Sequence, residues 1–212
     1  MIDNKSKYVI KIGENGLLGI NQSQVPLFLS KFQLDKPLPK RVHELLIGYV
    51  LLQFVEKHQK EEAIIGFPAA EDWEHKCQAG RTTLDYIMEH PSGIISDKDV
   101  DVMISSAGMI TKYQITRFVY PRGRRPDRNL AELIVKKCKQ QQTDRSLNLV
   151  VSIEQSPHII IEDFLAHIEG LKVPYGTIVL LQKASNKRGH FRLFQLFPKV
   201  IIGKDIQTNL PV

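Results

Sequence analysis

DKDVDVMISSAGMITKYQITRFVYPRGRRPDR, Asp97 to Arg128, is the stretch whose reading decides the fold. Val100, Val102 and Ile104 alternate with Asp101, Met103 and Ser105, the two-residue period of a strand with two different faces. Lys112, Gln114 and Thr116 alternate in the same way with Tyr113 and Ile115. Ala107-Gly108 between the two runs suits a two-residue hairpin turn, because glycine takes positive φ without steric cost. With Ser106 facing Met109, Asp101 falls opposite Gln114 and Asp99 opposite Thr116. One face of the hairpin then gathers two carboxylates, an amide, a hydroxyl and Lys112. Such a face is either a solvated surface or a site.

Outward from the hairpin, the chain reads as alternating helices and strands. Pro39 to about Glu62 is a helix, with Val42, Leu45, Leu46, Tyr49, Leu52 and Val55 at three- and four-residue steps. Its middle is apolar nearly all round, which predicts burial against a sheet, and Glu44 stands near its start beside that zone. Residues 69–90 read as a broken helix with Trp73, Cys77, Leu84 and Ile87 inward. On the other side, Asn129 to Gln142 is a helix with Leu130, Leu133, Ile134 and Cys138 on its inner face. LNLVVSI, Leu147 to Ile153, has the continuous apolar run of a strand covered on both faces. A helix from Ile159 ends at Gly170, a C-cap residue, and strands follow over Val173–Leu181 and Phe191–Phe197. The tail from Lys199 shows no clear pattern. Residues 1–38 read as an N-terminal arm or small hairpin packed on the core, and residues 39–212 as one α/β domain. A hairpin followed by crossovers predicts a mixed sheet with helices on both faces.

Composition narrows the setting. The 212 residues are 42% hydrophobic and 25% charged, enough to bury a sizeable core. No apolar run approaches the roughly 20 residues that cross a bilayer, so no membrane is expected as a partner. MIDNKSKYVIKIGENG lacks the basic start and apolar block of a signal peptide. Cys77 and Cys138 stand far apart with no partner at metal-ligand spacing, as reduced fillers would. A cytoplasmic protein is the expectation. The net charge is +6, yet between Lys112 and Arg145 ten Lys and Arg stand against three acids, an excess of +7. The rest of the chain is therefore nearly balanced, and the charge is one patch. Polyanions are its natural partner, because neutralising phosphates releases counterions; a solubilising loop is the bland alternative.

The order helix, strand, strand, helix, strand resembles the core of the PD-(D/E)XK nuclease superfamily, the restriction-endonuclease-like fold. The resemblance spans about Pro39 to Leu181. Asp101, in DVDVMI, matches the family's acid on the first hairpin strand, and Gln114-Ile115-Thr116, in KYQITRF, stands in the E-x-K place on the second. Glu44 matches the further Glu that members often carry on the first helix. The resemblance implies Mg²⁺-dependent phosphodiester hydrolysis, in which two carboxylates hold the metal and a lysine helps the attacking water. It thus implies Asp101, Glu44 and Asp99 as metal ligands, and Asp101, Glu44, Gln114, Thr116 and Lys112 as the catalytic set. Nucleic acid, expected to be DNA, is the implied partner, met by Arg117, Arg122, Arg124, Arg125 and Arg128; a homodimer or larger complex fits it too. The chain departs from the pattern at two places. Gln114 offers a neutral carbonyl where a charged ligand is expected, and Thr116 supplies no positive charge; Lys112 and Asp99 are the candidate substitutes. Three readings follow: a Mg²⁺-dependent nuclease, a binding or assembly module with a degenerate metal site, and an α/β protein whose basic loop docks another protein.

Overall fold

The hairpin turns where the sequence places it. Ala107 and Gly108 both have positive φ, 51° and 74°, as a two-residue turn matching the strands' twist requires. In the computed structural model, which describes residues 9–12, 15–34, 36–59, 62–68, 82–92, 100–120, 126–141, 144–153, 161–184 and 189–210, this turn joins β4 (Val102–Ser106) to β5 (Met109–Phe118). Ser106 pairs with Met109 and Val102 with Tyr113, the register expected from the turn.

The chain divides into two units, Met1–Gln114 with Thr208–Val212 and Ile115–Gln207. The first holds an antiparallel sheet: β1 (Val9–Ile12), β2 (Asn15–Ile20), β3 (Ala63–Pro68), β4 and the first part of β5, each pairing with the next. A short helix α1 (Val25–Leu29) precedes the long α2 (Lys40–Gln59). Residues 41–52 of α2 are all buried, as the all-round apolar middle predicts. Gly48 marks where α2 crosses the sheet: a Cβ there would stand 2.6 Å from Ile65 Cδ1 and 2.9 Å from Val102 Cγ1. Ile65 and Val102 therefore belong to the sheet face that α2 covers. α3 (Thr83–Glu89) opens on a reciprocal cap: Thr82 Oγ1 accepts from the Asp85 N–H at 3.2 Å, and Asp85 Oδ2 accepts from the Thr82 N–H at 2.8 Å. Leu84 and Ile87 are buried as expected; Trp73, Cys77 and the rest of the broken helix read over 69–81 lie outside the described residues.

The second unit is a mixed sheet with two helices. α4 (Pro126–Gln140) leads to β6 (Asp144–Ile153), and α5 (Ile161–Ile168) to β7 (Tyr175–Lys183), which runs parallel to β6. β8 (His190–Phe197) and β9 (Ile201–Gln207) then add antiparallel strands. Leu147, Leu149, Val150, Val151 and Ile153 are buried to 2% exposure or less. Gly170, φ 72°, follows α5 as the C-cap reading expects. Cys138 is buried, and burial pushes its thiol up to about 11. The protein is α/β. Two strands escaped the sequence reading: β3, in the unassigned residues 63–68 after the long helix, and β9, in the unpatterned tail.

Candidate metal centre

The N-terminal part of α2 and the start of β4 bring two carboxylates together. α2 begins Lys40-Arg41, and its Arg41 N–H is satisfied by the Pro91 carbonyl at 2.9 Å, which fixes the helix start. Glu44, one turn on, is only 2% exposed. Asp101 immediately precedes β4, and its N–H donates to the Tyr113 carbonyl at 2.9 Å. Val102, the next residue, already pairs with Tyr113, so both engage the same residue of β5. The strict alternation expected across from Gln114 breaks here. Asp101 is instead engaged with α2: its Oδ1 lies 3.9 Å from Lys40 Nζ, and its carboxyl interacts with that of Glu44.

Glu44 divides its two oxygens between different neighbours. Oε2 accepts from the guanidinium of Arg41, itself 2% exposed, one turn away. Oε1 lies 3.6 Å from Lys40 Nζ and is buried without a hydrogen-bond partner among the described residues. Burial is the main force on its protonation and raises its pKa; the Asp101 charge raises it further. Arg41 and Lys40 pull the other way and lose, leaving Glu44 pushed up from 4.5 to about 8. A carboxylate held that high binds either a proton or a cation at neutral pH.

The remaining expected residues divide by place. Strand alternation sets Lys112 and Gln114 on the face of β5 opposite Tyr113, whose partner Val102 lies under α2. Gln114 is buried to 9% exposure, and Lys112 is half-buried. Thr116 and Arg117, both half-buried, belong to the stretch of β5 in the second unit. Arg128 sits exposed on the first turn of α4 and donates from Nε to Glu132 Oε1 at 3.0 Å. Asp99, Arg122, Arg124 and Arg125 lie outside the described residues. Among the described residues no group of three or more His, Cys, Asp or Glu could hold a metal ion, and the carboxylates brought together are the two of Glu44 and Asp101. That number suffices for Mg²⁺, which keeps waters and takes substrate phosphate oxygens as its other ligands.

Lys40 and Arg41 were not legible as site residues. A signal was present nonetheless. Two cations open α2 and no acid stands in its first turn, against the preference of a helix N-terminus for negative charge. Among the described residues no helix is long and apolar enough to cross a membrane. Compared with protein-family models, curated proteins and solved structures, the chain finds no match.

Proposed function

We propose that this chain is a Mg²⁺-dependent nuclease of the restriction-endonuclease-like fold, with Glu44 and Asp101 as its cation ligands. One observation carries the reading: a helix and a hairpin strand, separate in sequence, place two carboxylates in contact, and one of them, Glu44, is only 2% exposed. Hard carboxylate oxygens are the donors that Mg²⁺ prefers, so the residues fit the ion. The elements α2, β4, β5, α4 and β6 come in the order that the resemblance requires, with β3 and α3 inserted between α2 and β4.

Each residue has a defined task. Arg41 holds Glu44 by Oε2 and so fixes the side chain while leaving Oε1 for the cation. Asp101, 14% exposed, is the more accessible ligand. Glu44 and Asp101 would hold Mg²⁺, which would supply binding of the scissile phosphate and a lowered pKa for the attacking water. The basic segment from Lys112 to Arg145 supplies the attraction for the polyanion. The experiment is cleavage of single- and double-stranded DNA in Mg²⁺ or Mn²⁺, comparing the natural chain with Asp101→Ala. The natural chain should cut, and Asp101→Ala should cut at least about a hundredfold more slowly while binding DNA as well. A natural chain that cuts no DNA or RNA with either ion overturns the hydrolase reading. The binding-module reading then stands, favoured by the neutral Gln114 and Thr116 at the motif positions.

A further inference from the structure

We infer that Lys40 is the resident counter-ion of the carboxylate pair, holding the place a divalent cation takes and leaving when that cation arrives; this rests on Glu44 and Asp101 being cation ligands. Lys40 Nζ stands 3.6 Å from Glu44 Oε1 and 3.9 Å from Asp101 Oδ1, so one ammonium spans one oxygen of each acid. Neither separation is a tight hydrogen bond. The buried Oε1 thus meets Lys40 at ion-pair distance only, beside the Asp101 carboxyl.

The two basic residues of this turn play different parts. Arg41 is 2% exposed and paired with Oε2, a fixture of the interior. Lys40 is 57% exposed on a long flexible stem, while its acid partners are 2% and 14% exposed. The ammonium can swing into water; the carboxylates stay. With both acids ionised and Lys40 in place, two carboxylates face two cations and the cluster is neutral. Once Lys40 leaves, the cluster carries one negative charge, ready for a divalent ion. A cation at the first residue of α2 opposes the helix dipole, and against that cost stands the i,i+4 spacing that pairs Lys40 with Glu44.

The test titrates Mn²⁺ into the full chain and follows the electron paramagnetic resonance signal of the free ion. Lys40→Gln should bind Mn²⁺ roughly three- to tenfold more tightly, because the ion no longer displaces two screened ion pairs. Lys40→Arg should stay near the natural affinity, and Asp101→Asn should lose the site. Equal affinities for the natural chain and Lys40→Gln overturn the inference, as does a lack of Mn²⁺ binding in all variants. Mn²⁺ binding in the expected order, without cleavage of any nucleic acid, sustains the inference and overturns the hydrolase reading alone.

Discussion

Glu44 is the residue on which the chemistry turns, and its protonation has a measurable consequence. Its carboxyl holds a proton up to about pH 8 in the folded chain but only to about 4.5 when unfolded. Between those values the folded state binds more protons, so this group's contribution to stability is complete below about 4.5 and disappears as pH rises through 8. Chemical denaturation from pH 5 to 8.5 should therefore show the natural chain losing stability relative to Glu44→Gln. Mn²⁺ or Mg²⁺ should recover that loss at neutral pH, since a bound cation replaces the proton. Parallel curves for the two proteins, with and without the ion, would contradict the assignment of the shift to Glu44. Glu44 was legible in the sequence as an acid beside an apolar helix zone, and Asp101 as an acid within the first hairpin strand. What the sequence hid is their contact. Strict alternation sends Asp101 to the face of Gln114, and only the doubled engagement of Asp101 and Val102 with Tyr113 brings it to α2.

The elements that were legible are those with a strong period or an unambiguous turn. Ala107-Gly108 set the β4–β5 register because both positions need positive φ, and α2 announced itself by its repeated apolar steps. β3, AIIGFP, has no alternation to distinguish it from the helix before it, for five of its six residues are buried. A short, continuously apolar strand cannot be told from buried helix by period alone. β9, IIGKDIQ, was hidden by Gly203 at φ 46° and by the charged Lys204-Asp205 pair in mid-strand. A different glycine controls the pairing of β6 with β7. A Cβ on Gly176 would lie 2.2 Å from the Arg145 carbonyl oxygen, beside the register irregularity between Asp144 and Asn148. The obstacle is backbone and cannot rotate away. Gly176→Ala should cost roughly 3 kcal/mol or more, the upper end for overpacking, read as a lowered denaturation midpoint. A neutral substitution would mean that the strands do not approach this closely.

Taken whole, the molecule is nearly neutral except between Lys112 and Arg145, and that asymmetry governs how it should meet a polyanion. Duplex DNA should bind weakly and without sequence preference, with affinity falling steeply as salt rises. Replacing Arg122, Arg124 and Arg125 together by Ala should reduce the slope of log affinity against log salt by about 3, one for each phosphate no longer neutralised. An unchanged slope would remove this segment from the interface and favour a protein partner for it. The α/β class was legible at this level because apolar strands alternate with amphipathic helices. The division into two units was not, since its boundary falls between Gln114 and Ile115, inside one continuous strand with no linker composition to mark it. The central claim, that the start of α2 and the start of β4 form a divalent-cation site, is most directly tested by anomalous diffraction from crystals of the full chain grown with Mn²⁺. A peak within coordination distance of both Glu44 Oε1 and Asp101, with Lys40 turned away, is the predicted result. Manganese absent from that position at saturating concentration, with Lys40 still between the two carboxylates, would contradict it.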